Sequence, residues 1–326
     1  MAEHQIFIVG TGRSGTVVMR EILGYHPRIH TFPTEVRFLT DTDGLFDLAT
    51  HLTQEWNPFN ASEALQRFRR MMLSYIWNEP LHHTAASLFY QFGLRGAGRR
   101  YRRMDFNTHI PVSHCQAILD TFIDDVTLDV TSGYWLGTAS YQARPHLHIT
   151  QRMSEEDLYP LMGKFTDRLL SYPLRKTAQT AWCDDTPINL LNADRIARML
   201  PASRLLHLYR DPRDVVASYA DPKQTWAPND PVLSAVWVRE IMTRWLELRG
   251  QIPSAQLMEV KYEDLVADQE GHLRRIMRFL GLDFHPALLD ISLTARSVGR
   301  HKTDIAPEAQ SAVEDIVTPV MEAYYT

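Results

Sequence analysis

Phe7-Ile8-Val9-Gly10-Thr11-Gly12-Arg13-Ser14-Gly15-Thr16 is the stretch on which the fold turns. The apolar run Ile6 to Val9 predicts a strand. Gly10, Gly12 and Gly15 break it into a turn, and Val17-Val18-Met19-Arg20-Glu21-Ile22-Leu23 predicts a helix. A strand, a glycine turn and a helix N-terminus make an anion site, because free backbone N–H groups and the positive end of the helix dipole converge on one spot. The sequence therefore predicts a phosphate-bearing ligand held close to residues 10–17.

Glycine spacing alone leaves the ligand open. Gly10-Thr11-Gly12-Arg13-Ser14-Gly15 fits GxGxxG, and Glu35 stands twenty residues past Gly15, where a ribose-binding acid would sit. An NAD(P)-binding oxidoreductase is one reading. Against it, Arg13 and Ser14 put a charge and a hydroxyl where small or apolar residues normally let a pyrophosphate approach the backbone. Gly10-x4-Gly15 also has P-loop spacing, but Thr16-Val17 stand where that loop needs Lys followed by Ser or Thr. The lysine for the terminal phosphates is missing and Val17 has no ligand for magnesium, so a magnesium-nucleotide kinase is disfavoured.

The rest of the composition narrows the class. The chain has 326 residues, 44% of them hydrophobic, enough for one large α/β domain or two small ones. A net charge of −5 is too mild to argue for nucleic acid as a partner. Only five of the 34 basic residues are lysine, so anion recognition falls to arginine and its planar fork. Cys115 and Cys183 lie in no CxxC or zinc-like spacing and are read as buried, reduced thiols. The first strand is expected within a few residues of Met1, which leaves no room for a signal peptide. No apolar run is long enough to span a membrane, and the expectation is a soluble, cytoplasmic protein.

Three blocks follow one another. The first, to about Phe38, holds the strand, turn and helix and a second strand near Ile29-His30-Thr31-Phe32. The middle block, about 39–180, lacks clear strand signals and is rich in aromatics, histidine and arginine. Ala64, Leu65, Phe68, Met71, Met72 and Tyr75 repeat there at helical spacing. Arg99-Arg100-Tyr101-Arg102-Arg103 reads as a solvated face or the border of an anionic substrate. The third block returns to alternation. Leu205-Leu206-His207-Leu208-Tyr209 predicts a strand, and Pro212 suits the first turn of the helix after it. Leu257-Met258-Glu259-Val260 predicts another strand. A later helix should bury Leu273, Ile276, Met277 and Leu280 and end at Gly281. Strands alternating with helices predict a parallel sheet with both faces covered.

A third reading of the glycine turn explains more of the chain. Arg13-Ser14-Gly15-Thr16 resembles the 5′-phosphosulfate loop of sulfotransferases that use 3′-phosphoadenosine-5′-phosphosulfate (PAPS). The resemblance implies that Gly12, Arg13, Ser14, Gly15, Thr16 and the backbone of Val17 hold the 5′-phosphate, with Arg13 neutralising the bridging oxygen. Leu205 to Tyr219 resembles the family's 3′-phosphate segment, in which Arg210 and Ser218 match the two binding residues. A guanidinium can fork onto phosphate oxygens while a hydroxyl donates beside it. The alternative is an ion pair of Arg210 with Asp211 or Asp214 at a capped helix start. Tyr262-Glu263-Asp264-Leu265 resembles the segment whose tyrosine lies near the adenosine. Ser297, Gly299, Arg300 and Lys302 resemble the C-terminal segment that closes over the nucleotide. In Trp182-Cys183-Asp184-Asp185-Thr186-Pro187, Asp185 stands where many relatives carry a lysine that assists the sulfate, and is expected to serve structure or substrate instead.

The resemblance covers the first 38 residues and Trp182 onward. It implies one domain over residues 1–326, with a P-loop nucleotide-kinase-like parallel sheet flanked by helices and a mainly helical, substrate-side insertion at about 39–180. The expected reaction is metal-independent, in-line transfer of the sulfuryl group to a hydroxyl. Glu35 matches the base of tyrosylprotein-type enzymes, with Arg37 beside it to orient it or to touch substrate. The alternative is a surface pair at a strand end, and His30, His109 and His114 are reserve bases. Trp56, Phe59, Tyr75, Trp77, Phe89, Tyr90 and Phe92 could line a groove for a small-molecule, lipid or glycan-type acceptor, or form helical core. A nucleotide-binding module without catalysis is the remaining alternative. The Lys…Thr-Val…Glu dimer motif is absent near the C-terminus, and oligomeric state stays open.

Overall fold

The computed structural model describes residues 2–76, 106–133, 146–224 and 226–325. The strands are β1 (His4–Gly10), β2 (Ile29–Thr31), β3 (Asp129–Ser132), β4 (His146–Ile149), β5 (Ala181–Asp184), β6 (Arg204–Tyr209) and β7 (Leu257–Lys261). The α-helices are α1 (Thr16–Gly24), α2 (Leu45–Leu52), α3 (Pro58–Ile76), α4 (Phe106–His109), α5 (Val112–Val126), α6 (Glu155–Leu170), α7 (Ala193–Met199), α8 (Pro212–Tyr219), α9 (Pro231–Leu248), α10 (Tyr262–Ala267), α11 (Gln269–Leu280), α12 (His301–Asp304) and α13 (Pro307–Tyr325). They form two compact units, one of residues 32–177 and one of residues 2–31 with 178–326.

The second of these units carries a five-stranded sheet in the order β2-β5-β1-β6-β7. Every pairing in it is parallel. β1 is central because it has no polar face to expose: Ile6, Phe7, Ile8 and Val9 are all fully buried. A parallel strand covered on both sides reads as a continuous apolar run, which is what its sequence shows. On one face, Ile6, Ile8, Leu206, Leu208 and Val260 pack against Met19, Ile22 and Leu23 of α1 and Leu273, Ile276, Met277 and Leu280 of α11. α11 ends where predicted, at Gly281 with φ +72. On the other face, His207 packs against Trp245 of α9 with ring centres 4.5 Å apart, and Tyr209 against Tyr324 of α13 at 4.7 Å.

Residues 32–177 form a unit in which α2, α3, α5 and α6 bury an aromatic core. Phe165 meets Phe38, Phe68 and Phe122 at 5.9, 5.8 and 5.0 Å between ring centres. α3 contains the predicted helical repeat, and Ser154 caps α6 by accepting from the Asp157 N–H. This unit corrects the expectation of a block without strands: β3 and β4 pair antiparallel, with Asp129 opposite Ile149 and Ser132 opposite His146. Asp129-Val130-Thr131-Ser132 is exposed throughout and has no apolar run, so its strand character comes from its partner. β5 is a second correction. Only four residues long and closed by two aspartates, it lies between β2 and β1 at the heart of the sheet. β2 ends at Thr31, one residue before Phe32. Trp77, Phe89, Tyr90, Phe92 and the Arg99–Arg103 run lie outside the described residues.

Candidate nucleotide site

The turn after β1 is built from left-handed backbone. Gly12 has φ +77, Arg13 +56 and Gly15 +103. Arg13 has a side chain and still adopts it, at a cost of about 1–2 kcal/mol, which the surrounding contacts must over-determine. The result is a concave turn that feeds directly into α1. Thr16 opens that helix, and the first intrahelical acceptor is used by Met19, whose N–H donates to Gly15 O at 3.0 Å. The N–H groups of the first turn, Thr16 to Val18, therefore point out of the helix end beside the loop. Ser14 is fully buried, and its Oγ has no hydrogen-bond partner. A buried hydroxyl left unsatisfied costs on the order of 1–3 kcal/mol, and a phosphate oxygen is the kind of acceptor that would repair it.

The Arg13 side chain leaves the loop toward α8, where its Nε donates to Ser218 Oγ at 2.8 Å. Ser218 stands in the second turn of α8, and Asp211 caps that helix by accepting from the Arg213 N–H at 2.9 Å. Pro212 occupies the first turn, as the sequence predicts. Arg210 stands between β6 and this cap, only 6% exposed. Its Nη1 donates to the Arg13 carbonyl at 3.3 Å, its Nη2 donates to the Ser297 carbonyl, and its Nε is buried without a partner. Asp214 pairs with it at 3.4 Å, so the ion pair considered from sequence does form. Burial lowers the Arg210 pKa, and Asp214 is the chief charge opposing that shift.

Tyr262 joins the loop to the C-terminal segment. A Cβ on Gly15 would lie 2.6 Å from its ring, its hydroxyl hydrogen-bonds Ser297 Oγ at 3.1 Å, and the Arg210 guanidinium lies 5.3 Å from the ring centre. Gly299 has φ +76, and its N–H donates to Asp214 Oδ2 at 2.7 Å. Arg300 turns away to Asp304 at 2.8 Å, and Lys302 is exposed. The Val17 side chain is also exposed, so only its backbone is available to an anion. The structure brings together Gly12 to Thr16, Arg210, Ser218, Tyr262, Ser297 and Gly299, each of them named from the sequence. Sequence reasoning missed that Asp214 accepts from the main chain of the C-terminal segment. It also missed Tyr219, whose hydroxyl donates to the Thr11 carbonyl, and Trp226, whose ring packs edge-on to Tyr219 at 5.0 Å. A carboxylate one turn after Arg210 was the available signal for the first; nothing marked the other two.

Asp185 is buried and forms an ion pair with Arg20 of α1 at 3.6 Å. In the 32–177 unit, Arg37 donates from Nη1 to Glu35 Oε2 at 2.7 Å and grips Asp41 with Nε and Nη2 at 3.0 and 2.9 Å. Burial would lower the Arg37 pKa, but Asp41 and Glu35 outweigh it and raise it. Glu35 is thus held by a fixed guanidinium, and the expected pair forms. His109 packs against Phe32, and His114 lies 4.4 Å from the ring centre of Tyr172. Burial lowers the His114 pKa. Both Cys115 and Cys183 are unpaired and buried, and burial pushes the Cys115 thiol up to about 12. Among the described residues, no three His, Cys, Asp or Glu side chains converge into a metal-binding group, and no helix is long and apolar enough to cross a membrane.

The sulfotransferase family model matches residues 5–286. The chain belongs to the sulfotransferase family. It is a PAPS-dependent enzyme by that membership, and the dinucleotide reading of Gly10–Gly15 gives way to it. Among curated proteins no relative matches. Among solved structures, the sulfotransferase domain of the Synechococcus PCC 7002 olefin synthase shares 16% identity, with all of this chain and 95% of that one covered and a TM-score of 0.52. The sulfotransferase domain from the curacin biosynthetic pathway shares 14%, covering 97% and 96%, with a TM-score of 0.49. Sulfotransferase STF1 of Mycobacterium tuberculosis H37Rv shares 18%, covering 98% and 77%, with a TM-score of 0.47. At this identity the first of them supports the fold, a parallel sheet flanked by helices.

Proposed function

We propose that residues 12–17 hold the 5′-phosphosulfate of PAPS and that Arg210, Ser218 and the 297–302 segment hold its 3′-phosphate. One observation carries the reading. Ser14 Oγ and Arg210 Nε are both buried and unpartnered, and the Arg13–Ser218 hydrogen bond joins the loop of one to the segment of the other. PAPS supplies an activated sulfuryl group on a phosphate leaving group. The protein's part is to fix that phosphate and to neutralise the charge that develops on it. Arg13 and the N-terminus of α1 provide that charge, so the transfer needs no metal. Tyr262 packs near the adenosine, and Arg300 and Lys302 lie at the rim.

Glu35 is the general base for the acceptor hydroxyl, and Arg37 orients it. The support is the 2.7 Å bond from an arginine that Asp41 already holds in place. Base assistance of this kind is worth about 10²–10⁴-fold. The chain then acts as one sulfotransferase domain in which about 39–180 selects a small-molecule, lipid or glycan-type alcohol. Two buried, unpaired thiols support a reducing, cytoplasmic setting.

Isothermal titration with the product nucleotide, 3′-phosphoadenosine 5′-phosphate (PAP), tests the site. Wild type should bind and Arg210→Ala should lose most of the affinity; binding indifferent to Arg210 sinks the assignment. Glu35→Gln should keep PAP affinity and lose turnover on an acceptor found from a panel of alcohols. Unchanged turnover moves the base elsewhere.

A further inference from the structure

The Asp214 carboxylate is 1% exposed and is consumed entirely by one neighbourhood. Oδ2 accepts from the Gly299 N–H at 2.7 Å and faces Arg210 Nη2 at 3.4 Å. Oδ1 accepts from the His301 N–H at 3.0 Å and pairs with His301 Nδ1 at 2.6 Å. Two of these donors are main-chain groups of the C-terminal segment, and the left-handed Gly299 curves the backbone so that both reach one carboxylate. The same segment accepts from Arg210 through the Ser297 carbonyl. Arg210 and residues 297–301 are therefore tied to each other directly and again through Asp214.

We propose that Asp214 is a positioning residue that makes the 3′-phosphate arginine and the segment closing over the nucleotide a single device. The proposal rests on the nucleotide reading above. Two effects oppose each other when the carboxylate is removed. Its negative charge repels a phosphate at Arg210, so neutralising it could tighten binding. Against that, the carboxylate is already paired with an arginine and three N–H donors, which damps its field at the phosphate. Without it a buried guanidinium loses its orientation and the segment loses its anchor, and the geometric loss wins. A hydrogen-bonded charge partner of this kind is worth roughly ten- to a hundredfold in an equilibrium constant.

The test compares PAP with AMP, which lacks the 3′-phosphate, by calorimetry on wild type, Asp214→Asn, Arg210→Ala and the double variant. Asp214→Asn should weaken PAP binding by roughly ten- to a hundredfold and leave AMP binding unchanged. The double variant should bind PAP no worse than Arg210→Ala alone. Amide hydrogen exchange on the unliganded proteins should show Gly299 and His301 protected in wild type and exposed in Asp214→Asn. Gly299→Ala provides a second variant that leaves Asp214 intact. An added Cβ there meets nothing within 4 Å, so only the φ of +76 is strained, and the same selective loss of PAP affinity should follow. Asp214→Asn that binds PAP as well as or better than wild type, equal losses for PAP and AMP, or additive losses in the double variant would each overturn the role of Asp214. Wild type that fails to bind PAP overturns the nucleotide reading and this proposal with it, whereas unchanged exchange at Gly299 and His301 overturns the anchor alone.

Discussion

Replacing Gly15 by alanine sets a disfavoured backbone conformation and a steric clash against the fold at once. The residue has φ +103, which L side chains avoid, and forcing one to adopt it costs about 1–3 kcal/mol. The new Cβ would also stand 2.6 and 2.9 Å from two carbons of the Tyr262 ring. That ring is not free to swing. Its hydroxyl is tied to Ser297, the Arg210 guanidinium lies against it, and it is 8% exposed. Overpacking against a fixed ring adds about 1–3 kcal/mol. The sum is a loss of roughly 2–6 kcal/mol, a large part of the 5–15 kcal/mol that holds most domains together. Urea unfolding followed by tryptophan fluorescence measures it, because Trp182 and Trp245 are buried in the same unit as Gly15. Gly250→Ala is the control: nothing lies within 4 Å of its Cβ, and the change should fall between zero and a gain of about 1 kcal/mol. A Gly15→Ala protein within about 0.5 kcal/mol of wild type would refute the argument that the loop conformation is imposed by its surroundings.

Acid stability should depend on Glu259. Burial pushes its carboxyl up, but hydrogen bonds from His207, Tyr324 and Trp245 outweigh that and hold it at about 2. A folded pKa below the unfolded value of 4.5 gives stability that is complete above about pH 5 and lost as pH falls toward 2. Glu259→Gln should flatten the unfolding free energy across that window, and an unchanged slope would dismiss the network. The Arg20–Asp185 pair should show coupling: each single replacement by alanine destabilises, and the double replacement costs less than the sum by about 0.5–3 kcal/mol in denaturant titrations. Additive costs would mean the 3.6 Å contact does nothing. Cys115 and Cys183 should resist an alkylating reagent until the chain unfolds, because the thiolate is the reactive form and both thiols are buried with raised pKa values. Labelling at the rate of a model thiol would contradict their burial.

Residues that act through their own neighbours in sequence were legible. Ile6–Val9, the glycine turn, Leu205–Tyr209 and the Gly281 cap each carry their reason locally, as hydrophobic run, backbone need or cap. β5 was not legible, because Ala-Trp-Cys-Asp becomes a strand only between β2 and β1. The β3–β4 pair was not either, since β3 faces solvent and its hydrogen bonds come from across the pair. The same division runs through the site. Arg13, Arg210 and Ser218 are recognisable by type and spacing. That Arg13 and Ser218 hydrogen-bond each other, and that Asp214 reaches 85 residues onward to Gly299, is information carried only by the folded chain.

The central place of β1 also bears on how the chain is made. β1 precedes both of its neighbours in the chain, which begin at Ala181 and Arg204. At roughly 5–20 residues per second, Ile6-Phe7-Ile8-Val9 waits on the order of ten to forty seconds for its first hydrogen-bonded partner strand. During that interval an uncharged, apolar run of four residues has both edges open, which is the condition under which strands pair with the wrong chain. Residues 32–177 emerge within the same wait and build a compact unit of their own. The anion loop, fixed at one end by β1, therefore acquires its shape late, only once the strands that flank β1 have been made.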